Sequence, residues 1–397
     1  MAPRVSPLAR PEVHELGASR IREIANAGMG NPDIAAFWFG ESDLPTPRFI
    51  RDAAMHSLGE AETFYTQNLG RPALREAISA YASGLHGTDI PPARIAVTGS
   101  GLSAIMLAAQ LVVSPGDRVV VVTPIWPNIA EIPRVLGAGV VRHSLQVENG
   151  AWRLDAAALI ADLTPGTRML VINSPANPTG WTIDPADQAA LLEHCRRHGI
   201  WILADEVYER LVFGSGQAVA PSFLRLAEAD DRLIVVNSFS KAWRMTGWRV
   251  GWLTIPPSLA ADLEKLIEFN TSCVPEFVQR GATAALTDPR GEEEVAALRH
   301  GLGEARARLL AGLAALEGVS VPAADGGMYA FFRIDGFDDS MALASALVRD
   351  VGLGLAPGVA FGAEGEGYLR WCFAAQPDRI DEGVRRLTRF LSTKGRA

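Results

Sequence analysis

Through the middle of the chain, short runs that are apolar at nearly every position alternate with longer stretches of helical periodicity. The runs are Arg118–Thr123 (RVVVVT), Arg168–Asn173 (RMLVIN), Ile200–Ala204 (IWILA), Leu233–Asn237 (LIVVN) and Val250–Ile255 (VGWLTI). A strand with one wet face alternates apolar and polar residues, so unbroken runs predict strands covered on both faces. Between them, Asp184-Pro185 sets a cap and a first-turn proline ahead of a helix to about His198, which Gly199 stops. This rhythm predicts a mostly parallel sheet with helices on both faces. Ligands of such sheets bind beyond the carboxyl ends of the strands, so the polar residues there carry the candidate chemistry.

Near residue 257 the pattern changes. Helical periodicity dominates to about Leu316, including a charged amphipathic stretch, Glu292–Leu316. A Gly326-Gly327 turn follows, then a strand Met328–Ile334, a helix Met341–Asp350, a strand Tyr368–Phe373 and a helix Asp378–Leu391. These elements predict a smaller α+β domain, on which the first 45 or so residues are expected to pack. The expected division is a large α/β domain over 46–285 and a small domain from 1–45 with 286–397.

Composition narrows the class. With 48% hydrophobic residues among 397, wholesale disorder is excluded. A net charge of −8 excludes a generally basic surface, so no nucleic-acid partner is expected. Cys195, Cys273 and Cys372 lack the CxxC spacing of a metal site and are too few for a disulfide framework. No metal is expected, and the cysteine usage suits a reducing compartment. Met1–Pro11 has no apolar leader core, and the longest near-apolar run, Ala104–Val113, is interrupted by Gln110. The expectation is a cytoplasmic protein with no membrane segment.

Five clusters at strand ends or helix starts offer distinct chemistry. Asn237-Ser238-Phe239-Ser240-Lys241 follows an apolar run, and Arg249 lies eight residues beyond Lys241. Two serines, a lysine and an arginine in that space could converge on a phosphate, with the lysine amine free to form an imine. Asp205 and Tyr208, in Ala204-Asp205-Glu206-Val207-Tyr208, supply a carboxylate for a cationic heterocycle and a phenol for a neighbouring oxygen. Asn177 stands in Asn173-Ser174-Pro175-Ala176-Asn177-Pro178-Thr179-Gly180, which alone reads as a turn. Thr98-Gly99-Ser100-Gly101-Leu102-Ser103 opens an apolar helix, where main-chain amides of Ser100, Gly101 and Leu102 make an anion site. As a dinucleotide fingerprint that loop fails, for it lacks the third glycine, a well-formed preceding strand and a ribose-binding acid. Trp126 follows another strand and offers an aromatic face. Amine, acid, phenol, amide, aromatic face and phosphate donors together describe a site for pyridoxal 5′-phosphate.

In this order the motifs resemble the fold-type I, class I/II aminotransferases. The resemblance is collinear from Gly40-Glu41-Ser42-Asp43-Leu44-Pro45-Thr46-Pro47, through Tyr65…Gly70 and Leu74-Arg75-Glu76-Ala77-Ile78, to Tyr368-Leu369-Arg370. It implies Lys241 as the Schiff-base lysine and proton carrier, Asp205 as the partner of the ring nitrogen, and Tyr208 and Asn177 as holders of the ring oxygen. Gly101, Leu102, Ser238, Ser240 and Arg249 would take the phosphate, joined by Tyr65 from the other subunit of a homodimer. Trp126 would stack on the ring, and Arg370, with Gly40 and Asn177, would take the substrate α-carboxylate. The implied reaction moves an amino group between an amino acid and a 2-oxo acid. Carbon–sulfur β-lyases and non-catalytic sensors use similar sites and are the alternatives. Two positions depart from the pattern. Ser42 replaces a usual proline, and Leu102 stands where acidic-substrate members often carry lysine, which points to a neutral or hydrophobic substrate side chain.

Overall fold

The apolar runs become the interior of a seven-stranded sheet in the computed structural model, which describes residues 9–214 and 218–394. Its strands are β1 (Ile95–Thr98), β2 (Arg118–Thr123), β3 (Gly139–Ser144), β4 (Thr167–Asn173), β5 (Trp201–Asp205), β6 (Leu233–Ser238) and β7 (Gly251–Thr254). They lie in the order β1-β7-β6-β5-β4-β2-β3. Neighbours from β6 to β3 are parallel, whereas β7 runs antiparallel to both β6 and β1. Unbroken apolarity has the expected cause. Val120, Leu170, Ile202 and Val235 face one hydrophobic layer, and Val119, Met169, Leu203 and Ile234 face the other. Period-two alternation thus feeds two cores, and each fully buried side chain contributes about 1.5–3 kcal/mol.

Two strands were not legible in the sequence, and one corrects the reading given above. A strand does precede the glycine loop at 99–101, because β1 occupies Ile95–Thr98 and is wholly buried. Four residues are too few to show a period, and their extended form is fixed by pairing with β7. β3 carries Arg142 and His143 at the sheet edge, which disguised it. The helix Pro185–His198 starts and stops as predicted. Asp184 accepts a hydrogen bond from the Ala186 amide at 2.8 Å, and Gly199 ends the helix in the left-handed conformation.

A second sheet of four strands, β8 (Val319–Ser320), β9 (Tyr329–Ile334), β10 (Ala356–Pro357) and β11 (Tyr368–Cys372), is antiparallel in the order β8-β9-β11-β10. Helices Arg290–Ala314, Ser340–Val351 and Pro377–Lys394 cover it, with Phe332, Leu347, Trp371 and Leu387 among their shared core. Ile24, Phe37 and Trp38 join that core, and Ala35–Ala36 pairs in parallel with Leu353–Gly354. The N-terminal segment therefore packs on the second sheet, although residues 1–8 lie outside the described residues. Because helix Glu276–Thr287 packs on helices of the first unit and Arg290–Ala314 on the last helix, we propose the division at about residues 45 and 285 as the domain boundary.

Gly251 ties the sheet to the loop above it. A Cβ there would stand 2.7 Å from the Asn237 carbonyl oxygen and 2.8 Å from the Gly101 nitrogen. Both are backbone atoms and cannot swing away. Gly251→Ala is expected to lower stability by about 1–3 kcal/mol. A urea denaturation midpoint equal to that of the wild type would contradict this reading.

Candidate active site

The carboxyl ends of β4, β5 and β6 bring Asn173, Asp205 and Ser238 side by side. Asn173 and Asp205 are register partners, and the Asn173 side-chain amide donates to the Asp205 carbonyl at 3.0 Å. Beyond these ends opens a cavity of about 720 Å³. Its wall holds Gly40, Gly101, Leu102, Trp126, Asn177, Asp205, Tyr208, Ser238, Ser240, Lys241, Arg249 and Arg370. Twelve positions singled out from the sequence thus meet in one place, drawn from both sheets and from the segment before the first helix of the large unit.

Asp205 is 3% exposed, and its carboxylate accepts a bond from the Val207 amide at 3.3 Å. Burial pushes its carboxyl up to about 7, and the nearby Lys241 charge pulls the other way. Lys241 sits in a four-residue helical turn, Phe239–Ala242, capped by the Ser238 hydroxyl, which accepts from the Ser240 amide at 3.1 Å. The Lys241 amine donates to the Gly40 carbonyl at 2.6 Å, and burial pulls it down to about 8. An amine in that range is a usable nucleophile and proton carrier near neutral pH.

Arg370 lies on β11 and is 2% exposed, yet among the described residues it has no carboxylate partner. It donates to Asn177 Oδ1 at 3.0 Å and to the Trp38 carbonyl, and stacks over the rings of Tyr329 and Phe361. Its Nε has no acceptor. A buried guanidinium held by neutral groups, with a donor to spare, is a receptor for an anion.

At the other end of the cavity the helix Gly101–Val112 presents its first amides beside Ser238, Ser240 and Arg249. A Cβ on Gly101 would come within 3.3 Å of the Ser238 Cβ, so glycine keeps this cradle open. Ser100 is buried behind the wall, where its hydroxyl caps the helix by accepting from the Ser103 amide at 2.9 Å. Tyr65 is also outside the cavity. It is 89% exposed, next to Phe64 at 80%.

Several cavity residues were missed. Tyr329 shares a hydroxyl–hydroxyl bond of 2.7 Å with Tyr208. It sits two residues before Phe331, whose β9–β11 partner is Arg370, and only that register could have revealed it. Asn173, Glu41 and Thr246 also line the wall, the Thr246 hydroxyl donating to Glu41 at 3.1 Å. Arg22, stacked 4.9 Å over Phe39, forms no ion pair among the described residues and lies at the mouth. Trp38 and Phe39 line the cavity and also pack in the core of the second unit.

The sequence matches the family described as aminotransferase class I and II over residues 35–387. It is 31% identical to an aspartate aminotransferase of Pyrococcus horikoshii, over 94% of each chain. Against an arginine–pyruvate transaminase of Pseudomonas aeruginosa the identity is 33%, over 92% of each. The structure superposes on a Thermus thermophilus aspartate aminotransferase mutant with a TM-score of 0.90 and 27% identity, covering 97% of this chain and 100% of that one. No helix among the described residues is long and apolar enough to cross a membrane. Because the likeness runs through both sheets and the cavity they share, rather than through one motif, the chain belongs to the class I and II aminotransferase family.

Proposed function

We propose that this aminotransferase works with pyridoxal 5′-phosphate in the cavity and favours neutral or hydrophobic amino acids. The observation that carries the reading is that a buried carboxyl, Asp205, and a buried guanidinium with no carboxylate partner among the described residues, Arg370, line one cavity with the Lys241 amine. Among the described residues neither group forms an ion pair, the Lys241 amine being the nearby cation of Asp205, so the cavity suits a ligand that carries both signs of charge. Lys241 would hold the cofactor through its amine, Asp205 would meet the ring nitrogen, and Tyr208 and Asn177 the ring oxygen. Gly101, Leu102, Ser238, Ser240 and Arg249 would hold the phosphate, with Trp126 against the ring. When bound, the group supplies an aldehyde for amine exchange and a cationic ring that withdraws electrons from the substrate Cα.

This chain's residues do the rest. Ionised Asp205 keeps the ring nitrogen protonated, and a cation there returns its carboxyl toward the ordinary carboxylate range. Arg370 and the Gly40 segment fix the substrate carboxylate, which turns the Cα–H bond toward the Lys241 amine. That amine would take the Cα proton and return a proton two bonds away, to the cofactor carbon across the nitrogen, so a single base serves both transfers. Leu102, Trp126 and Phe39 offer an apolar wall to the side chain. The exposed Phe64 and Tyr65 support a homodimer in which Tyr65 completes the neighbouring phosphate site.

Four outcomes are expected. Capture of pyridoxal phosphate by the apoprotein should speed up as pH rises toward about 8, because the folded pKa of Lys241 is lowered and only the neutral amine attacks. Lys241→Ala should abolish both turnover and the borohydride-fixed adduct, and an adduct that persists in this variant would place the bond elsewhere. In a panel of donors against pyruvate and 2-oxoglutarate, neutral and aromatic amino acids should lead in kcat/KM. Aspartate ahead of all of them by about tenfold would refute the apolar-wall argument. Sedimentation should show a dimer at micromolar concentration, and Tyr65→Ala should weaken cofactor retention by about 1–3 kcal/mol, as for a lost charged hydrogen bond. A fully active monomer would rule out the shared site.

A further inference from the structure

We propose that Tyr329 is a positioning residue for the transfer reaction: its hydroxyl donates to the Tyr208 oxygen and thereby commits the Tyr208 proton to the cofactor ring oxygen. The inference rests on the role of Tyr208 proposed above.

Two hydroxyls 2.7 Å apart share one hydrogen bond, and either could be its donor. The choice has a consequence. A phenol has one proton, so if Tyr208 donated to Tyr329 it could only accept from any group in the cavity. It would then be useless to an oxygen that carries negative charge. If Tyr329 donates, the Tyr208 proton is free to point into the cavity. Both rings are 3% exposed, so no solvent competes for either proton.

The surroundings select the second arrangement. The Arg370 guanidinium lies 4.5 Å from the centre of the Tyr329 ring, and a cation there favours the phenol that gives up its proton. Lys241 Nζ lies 5.6 Å from the centre of the Tyr208 ring. Burial raises both phenols strongly. Arg370 opposes that rise at both, and at Tyr329 it stands next after burial; the bond to Tyr208 also opposes the rise at Tyr329, whereas the same bond raises Tyr208 further. Asp205 raises both, and Cys372 adds to the rise at Tyr329. Of the two, Tyr329 is the better donor.

The chain makes room for this arrangement. A Cβ on residue 40 would fall 2.0 Å from the Tyr329 hydroxyl oxygen, so glycine at 40 is what lets that hydroxyl reach Tyr208. The same Gly40 accepts from the Lys241 amine through its carbonyl. Carboxylate receptor, ring-oxygen donor and reactive amine are thereby held around one glycine.

The test reads the visible absorption of the cofactor-loaded enzyme against pH. A donor to the ring oxygen draws off negative charge. Weaker donation leaves more charge there and holds the neighbouring proton on the Lys241 nitrogen more tightly, so the absorption midpoint rises. Tyr208→Phe, which removes the direct donor, should raise the midpoint by about one pH unit. Tyr329→Phe keeps the ring under Arg370 and should raise it in the same direction by a smaller step, about half a unit. It should lower kcat more than it raises KM. If Tyr208→Phe leaves the midpoint unchanged, the assigned role of Tyr208 fails. If Tyr208→Phe moves it and Tyr329→Phe does not, or moves it downward, the Tyr329 inference is overturned.

Discussion

Asp205 and Arg370 are ionisable, buried and without an ion pair among the described residues, and the cavity's surroundings answer to that fact. Removing an ion from water costs several kcal/mol even after the surroundings relax. A domain of this kind has a net stability of only about 5–15 kcal/mol, so two such sites are tolerable only inside well-packed frames. Asp205 is anchored as the last residue of a strand between two apolar layers. Arg370 is anchored in the middle of β11, between aromatic rings and carbonyl acceptors. The two groups belong to different sheets and line the same cavity.

Close backbone approach is the second requirement. A main-chain amide can face an anion, and a carbonyl can face an amine, only where no side chain intervenes. Gly251 meets that need against the backbone of Asn237 and Gly101, Gly101 against Ser238, and Gly40 against the Tyr329 hydroxyl. None of the three has φ in the left-handed region. Their role is space rather than backbone freedom, so even alanine would be felt.

Tyr208 joins the two halves energetically. It follows the first sheet's β5 in sequence but is buried in the hydrophobic core of the second unit, against Tyr329. The end of β5 and strand β9 are therefore tied through one packed cluster.

The sequence by itself determined the mostly parallel sheet, the second unit and twelve of the residues that line the cavity. Strands buried on both faces must be continuously apolar, and polar groups at their ends have nowhere else to go. Runs such as RVVVVT carry that signal within six residues, and Lys241, Asp205 and Asn177 follow such runs directly. Local order in the sequence was enough for them. Tertiary structure alone decided the rest. β1 became a strand only by pairing with β7, and Tyr329 met Arg370 only through the register of β9 on β11. Arg22 reached the cavity mouth from the far end of the chain. Each of these depends on a pairing between segments distant in sequence, which no local period encodes. The outward turn of Tyr65 has the same character, because exposure is a property of the folded surface and not of the residues beside it.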